Sequence, residues 1–489
     1  MSLNTKRIVI LIIGVFFLGA LLVVGAVENN KRVVGKKAAI KISQTSKRCV
    51  ECHTSTSPSL VEQWRNSKHA LRGVGCIDCH EAQKTDKDAW EHEGKLIAVI
   101  VSPADCSKCH SKENEQFQSS HHADAGKILG SLDNVLAEVV EGNTGRLGLD
   151  GQSPAAINGC WQCHGSVVKI MENGRPDPST WPNTGIGRIN PDGSKGSCTA
   201  CHSRHQFSVS VSRQPDSCGK CHMGPDHPQK EIYEESKHGI AFKAFKDDMK
   251  LDAQPWRVGI EYTAAPTCAT CHMSATDDME VTHDVGRRIS WNLRPPVSEK
   301  IDAKAIKAGE TVESWEDRRD NMKNVCSKCH SESYVDGFYT QFDSAINLYN
   351  DKFGKPATEI INMMKAGGVL TPTAFDEELE WTYFYLWHHE GRRARHGASM
   401  MAPDYTQWHG FFEVAERFYI HFVPEVKKAC RKAIRRKGSN ATAAKEVLAK
   451  LNEILNREEH QWFLSKMSQE EKSKRKAAAE EFKKRYAQN

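Results

Sequence analysis

An uncharged apolar run from Ile8 to Val27, entered behind Lys6 and Arg7, opens the chain. A positive flank followed by an apolar segment directs export, and roughly twenty such residues suffice for a spanning helix. Val24-Gly25-Ala26 would also serve as a small-residue cleavage site. Residues 1–28 therefore read as a signal or transmembrane anchor. The rest is expected outside the cytoplasm, on the periplasmic side, anchored or exported. No continuous strand pattern follows, so the fold is expected to be mainly α. Residues 172–197, rich in Gly, Pro, Asn and Asp, read as a surface loop with several turns. After His330 the pattern changes. Thr371-Pro372 predicts a helix start, and a charged, aromatic-rich segment runs on to His396. Residues 408–436 predict a second helix, basic at its end. Val447, Leu448, Leu451, Ile454 and Leu455 mark one apolar face of a third. Ser468 with Glu471 makes a capping box before a final Lys- and Glu-rich helix. The charge runs read as solvated faces of a helical spine.

Cysteine spacing changes the picture. Of 17 cysteines, all but Cys430 fall in eight Cys-x-x-Cys-His units. These are Cys49/Cys52/His53, Cys76/Cys79/His80, Cys106/Cys109/His110 and Cys160/Cys163/His164, then Cys198/Cys201/His202, Cys218/Cys221/His222, Cys268/Cys271/His272 and Cys326/Cys329/His330. Two residues between the cysteines let both sulfurs reach the vinyl groups of one porphyrin, and the adjoining histidine ligates iron. A zinc half-site or redox disulfide could explain one such unit; eight on an exported chain point to eight c-type haems. The intervals between units are irregular and short, so the porphyrins themselves must form much of the core. The fold class predicted is a mainly α multihaem cytochrome c with a haem-packed core and a C-terminal long-helix bundle. Residues 29–345 form the octahaem-binding domain, and residues 346–489 a helical domain for the haem pocket and oligomer contacts. The net charge of +5 would be largely cancelled by haem propionates, so it gives no nucleic-acid signal. Cys430 reads as a free thiol.

Removing the eight proximal ligands leaves fourteen of the 22 histidines. Ser67-Lys68-His69-Ala70, Ser120-His121-His122-Ala123 and Ser236-Lys237-His238-Gly239 resemble one another. His92, His205, His283 and His396 lie after attachment units or on a predicted helix. One histidine of the His121/His122 pair, taken as His122, completes seven distal candidates for eight irons: His69, His92, His122, His205, His238, His283 and His396. On this count one haem stays five-coordinate and able to do chemistry. His227, His388, His389, His409, His421 and His460 read as ordinary polar residues, and Met223 and Met273 as packing.

The all-histidine units and their order resemble the hydroxylamine oxidoreductase and hydrazine dehydrogenase family of octahaem cytochromes c. So do Cys201-His202-Ser203-Arg204-His205, Cys221-His222-Met223-Gly224-Pro225-Asp226-His227 and Thr282-His283-Asp284, and the resemblance spans roughly residues 45 to 420. It implies that the haem of Cys160, Cys163 and His164 is the open one, overhung by Asp226 and His227. The expected catalytic residues are then Asp226, His227 and His164. A carboxylate and an imidazole there can relay protons to a bound nitrogen compound.

Oxidising members of that family bond the catalytic haem to a tyrosine downstream of the eighth unit. Tyr405 is the candidate here, in a segment shorter than theirs, and the reading favours no crosslink. A reducing enzyme follows, turning nitrite or NO into hydroxylamine or ammonium. Oxidation of hydroxylamine or hydrazine, and a non-catalytic electron conduit, stay open as alternatives. Related reductases carry a Cys-x-x-Cys-Lys unit, absent here, which argues against sulfur oxyanions as substrates. The partners expected are a small inorganic nitrogen substrate and a small cytochrome c or quinol-linked membrane cytochrome. The resemblance adds a homotrimer or higher oligomer.

Overall fold

The computed structural model describes residues 40–130, 139–140 and 154–487. The N-terminal anchor predicted from Ile8 to Val27 lies outside the described residues. Among the described residues no helix is long and apolar enough to cross a membrane. The chain divides into two units, Met1–Asp78 and Cys79–Asn489.

In the first unit, Ser43 accepts from the Ser46 amide and caps the helix Gln44–Thr56, which carries the first Cys-x-x-Cys-His. Pro58 opens the next helix, Pro58–Arg65, at a position that has no amide to satisfy. That helix buries Val61 and Trp64, and the Trp64 indole donates to the Val74 carbonyl at 3.0 Å. Ser67 then caps Lys68–Leu71, which carries His69.

The second unit is mainly helical as well. Its only strands among the described residues are two short hairpins, Trp90–His92 with Lys95–Ile97 and Trp291–Asn292 with Glu299–Lys300. Short helices carry the attachment units. The large apolar core lies further along the chain, between Tyr349 and Leu455, and gathers Ile360, Met364, Leu386, Phe418, Phe422, Val447 and Leu451. The predicted apolar face of the helix Ala441–Leu455 is buried through Val447, Leu451, Ile454 and Leu455. Ser468 caps the final helix, Gln469–Ala487, by accepting from the Glu471 amide at 3.1 Å.

Thr371-Pro372 does not begin a helix. The Thr371 hydroxyl donates to Asp376 at 2.9 Å and its amide to Glu377 at 3.1 Å. These bonds hold a turn, and the helix starts only at Glu378. The predicted helix over 408–436 is broken by wider turns at Gln407–Phe412 and Arg417–Phe422, and another lies at Tyr385–Glu390. Such π turns insert a residue and re-aim side chains, and they are frequent at functional sites.

His460 is fully buried, with its Nδ1 2.8 Å from the Tyr419 hydroxyl. Burial pushes its imidazole down to about 4. The unfolded chain therefore binds the proton first, and stability falls as pH drops from 6.5 toward 4. His460→Leu is expected to flatten that part of the profile in urea titrations across the range.

Candidate functional site

A recurrent hydrogen bond builds the attachment units. The amides of His110, His164, His202, His222 and His330 each donate to the carbonyl of the first cysteine of their unit, at 2.8–3.0 Å. One helical turn thus puts both cysteines on one face, three residues apart, with the histidine beside them. None of the seventeen cysteines forms a disulfide.

Exposure differs among the attachment units. Cys52 and Cys109 are exposed rather than buried, and so is Cys329, whereas the other thirteen unit cysteines are half-buried. Each of the three is the second cysteine of its unit; the first cysteines, Cys49, Cys106 and Cys326, are partly covered. The cause is local. The helix Gln44–Thr56, which bears Cys52, buries only Ser46, and the helix Ser111–Gln118, which follows Cys109 and the exposed His110, buries nothing.

The histidines fit haem iron. The Nδ1 atoms of His80, His164 and His272 lie 2.8, 3.2 and 3.2 Å from the carbonyls of Ala98, Ala125 and Val285. A carbonyl only accepts, so each Nδ1 carries the proton and each Nε2 keeps a lone pair for a metal. Two imidazoles on one iron, each nitrogen about 2.0 Å away, place their ring centroids roughly 6.3 Å apart. Five pairs stand at that spacing: His80–His205 at 6.4 Å, His122–His222 at 6.1 Å, His202–His283 at 6.5 Å, His238–His330 at 6.0 Å and His222–His227 at 6.2 Å. The first four join an attachment histidine to a sequence-predicted distal candidate; in the fifth, His227 stands edge-on to His222, which His122 already faces. His69 lies on its Ser67-capped helix and His92 in the first hairpin, its ring 5.1 Å from Trp90. The His396 Nε2 is buried without a hydrogen-bond partner, as an atom awaiting a ligand would be. Among the described residues no aromatic or histidine ring pairs with His164.

The resemblance between the first and third Ser-x-His segments has a physical cause. Ser67 and Ser236 each cap a helix and set the histidine in its first turn. Ser120 instead bonds back to the Phe117 carbonyl, and His121 and His122 follow in a turn.

The units also adjoin one another. The thiols of Cys106 and Cys198, Cys163 and Cys221, and Cys218 and Cys268 make side-chain contacts. The fourth unit therefore sits beside the sixth, which touches the seventh.

Beside that fourth unit stand Asp226 and His227. The His227 Nδ1 is 2.5 Å from Asp226 Oδ1, and its Nε2 is 3.1 Å from the Cys221 carbonyl. Both partners only accept, so both ring nitrogens carry protons and His227 is an imidazolium. Burial works against that charge, but the bond to Asp226 and its anion prevail and raise the imidazole above its ordinary value. Burial likewise tends to raise Asp226, yet the bond to His227 and the charges of His227 and Arg392 hold the carboxyl well below the usual range.

Two neighbours of this pair are absent from the sequence-based site. Arg392 donates to Asp226 Oδ2 at 3.3 Å and to the His388 Nε2 at 3.0 Å. A guanidinium only donates, so the His388 Nε2 accepts and that ring is neutral. Burial, then Arg392, push it down to about 3. Arg392 lies 166 residues from Asp226, so no local signal joins them; only the charged, histidine-rich stretch 388–396 hints at a site.

The segment 172–197 is a loop, but it is docked onto the fourth unit. Ile186 and Gly187 donate to the carbonyls of Cys163 and His164 at 2.9 and 3.1 Å, and Asn183 pairs with Ser166. Gly185 lets the backbones meet: a Cβ there would lie 2.0 Å from the Gly165 nitrogen. Tyr405 is half-buried on the short helix Pro403–Thr406, its amide donating to Glu235 at 3.1 Å and its ring 5.7 Å from His409.

A family model described as "Seven times multi-haem cytochrome CxxCH" matches residues 191–376, and one described as "Cytochrome c554 and c-prime" matches residues 24–81. A curated relative from Kuenenia stuttgartiensis, "Probable nitrite reductase-hydroxylamine oxidoreductase fusion protein", is 25% identical over 332 residues, 59% of this chain. The chain spans only 34% of that relative's length. A solved "Hypothetical multiheme protein" superposes with a TM-score of 0.67 at 25% identity, over 81% of this chain and 98% of the other. A "reducing HAO-like protein complex" of Kuenenia stuttgartiensis reaches a TM-score of 0.58 at 19% identity, over 81% and 87%. The motif named in the first family description is the one whose helical turn recurs along this chain, and the mainly helical fold is that of a multihaem cytochrome.

Proposed function

We propose that the chain is an octahaem oxidoreductase that reduces nitrite or NO to hydroxylamine or ammonium. The observation that carries this reading is His227. It is doubly protonated beside the fourth attachment unit, whose His164 has no facing ring among the described residues and feels the charges of both Asp226 and His227. Each of these reductions consumes protons with its electrons, and an imidazolium held by an anion is a proton donor at rest. Oxidation of hydroxylamine would call for a proton acceptor instead. The names of the curated relative and of the reducing complex agree with nitrogen-compound redox chemistry.

The sixteen unit cysteines, the exposed Cys52, Cys109 and Cys329 included, would hold eight haems, with His53, His80, His110, His164, His202, His222, His272 and His330 as proximal ligands. Distal ligands would be His205, His122, His283 and His238, with His69, His92 and His396 serving three more. Bound haems supply electrons and, where one axial position is open, the iron that a small nitrogen oxide ligates. His227 donates the proton, Asp226 holds that proton's imidazole in place, and Ala125 fixes the His164 ring. The adjoining cysteines join the third unit to the fifth, and the fourth through the sixth to the seventh, as steps of an electron route. An external cytochrome would feed this route, outside the cytoplasm, in an anchored homotrimer.

The test is an anaerobic assay of the haem-loaded protein with a reduced viologen dye and nitrite. Hydroxylamine or ammonium is expected to accumulate as dye is consumed. No nitrite consumption, with hydroxylamine oxidised instead, would overturn the direction. Tyr405→Phe is expected to leave kcat within about twofold, as for a residue that makes no bond to the reacting centre, and the denatured protein to run as a monomer.

A further inference from the structure

We infer that Arg392 is a positioning residue for the Asp226–His227 pair, an inference that rests on the proposed role of His227 as proton donor. The guanidinium is fixed on three sides. Its Nε donates to the Arg294 carbonyl at 2.9 Å, its Nη1 reaches both Asp226 Oδ2 and the His388 Nε2, and its Cζ lies 5.0 Å from the Trp387 ring centroid. The side chain is only 8% exposed. His388 and Arg392 lie four residues apart, so they share a helix face, and the π turn Tyr385–Glu390 carries His388 into that position.

The consequence falls on Asp226. A carboxylate held by one bond to His227 can rotate about its terminal torsion, which is broad for aspartate. Arg392 takes the second oxygen, Oδ2, and leaves Oδ1 aimed at the His227 Nδ1. That fixes the imidazole ring, with its other nitrogen against the Cys221 carbonyl, from which its proton must leave toward a bound substrate. His388 holds the far side of the same guanidinium as a neutral acceptor. The arrangement matches that of outer partners that orient the groups in direct contact with a reacting ligand, whose loss costs activity about 10–100-fold.

The test compares Arg392→Gln, Arg392→Lys and His227→Asn with the unaltered chain, all haem-loaded. Two quantities are measured: kcat and KM for nitrite, and the N–O stretching frequency of NO added to the reduced protein. For Arg392→Gln, kcat is expected to fall roughly 10–100-fold with KM little changed. The stretch should move toward the His227→Asn value, and Arg392→Lys should recover part of both. A stretch and kcat that ignore Arg392→Gln would overturn the inference while leaving the proposed function standing. If Arg392→Gln fails to incorporate haem, Arg392→Lys decides: an unchanged stretch and kcat refute the positioning role. An unaltered protein that binds no NO at all refutes the open-iron reading, and this inference with it.

Discussion

His227→Asn is expected to lower kcat for nitrite reduction by about 10²–10⁴-fold, the usual contribution of a positioned general acid. Asparagine keeps a polar group of related reach but carries no transferable proton. The effect should be chemical rather than structural, because neither bond of His227 ties distant parts of the chain together: one runs to the adjacent Asp226 and one to the nearby Cys221 carbonyl. The pH profile should change with it. His227 is raised above the ordinary imidazole value, so the donor is present below that raised value and lost as pH climbs through it. The unaltered enzyme should therefore lose rate on the alkaline side, and His227→Asn should lose that limb. Steady-state dye oxidation from pH 5 to 9 checks both points. A kcat within about threefold of the original would leave His227 no catalytic part.

Gly185→Ala is expected to detach the loop 172–197 from the fourth unit. The added Cβ would lie 2.0 Å from the Gly165 nitrogen and 2.4 Å from the Trp161 carbonyl. Both are backbone atoms and cannot swing aside. The loop must lift, which strains or breaks the bonds from Ile186 and Gly187 to the carbonyls of Cys163 and His164. Overpacking of this kind costs about 3 kcal/mol. A local opening made easier by that amount speeds cleavage roughly 10²-fold when opening is fast relative to proteolysis. Limited proteolysis should then cut preferentially within 172–197, and the spectrum assigned to the fourth haem should broaden. Resistance equal to the original would mean the loop is held by something other than this backbone contact.

The two parts of the site differ in how far the sequence reveals them. The attachment units are legible because one helical turn demands both cysteines and the histidine within five positions, so the motif is its own geometry. Depth is not written in that motif: Cys52 and Cys109 share it with the half-buried Cys201 and Cys271, yet the protein chain covers them less. The histidines that pair with the units are legible too, through local devices such as the Ser67 and Ser236 caps. Asp226 and His227 are adjacent and follow the sixth unit, which made them visible through the resemblance to a known family. Arg392 and His388 are not visible, because only packing brings the helix that bears them against Asp226. The docked loop escaped for a similar reason. Gly126, Gly165, Gly185 and Gly187 meet backbone to backbone from separate segments, whereas composition signals only turns. Thr371-Pro372 carried a valid start signal, yet side-chain bonds to Asp376 and Glu377 won locally. The π turns left no mark in the apolar period.

The central claim is that one iron of the eight is open and reactive. Low-temperature electron paramagnetic resonance of the oxidised, haem-loaded protein tests it most directly. A single high-spin ferric haem alongside low-spin bis-histidine signals, converted on adding nitrite or NO, is the predicted result. A spectrum with every haem low-spin and indifferent to both would contradict the account and leave an electron conduit.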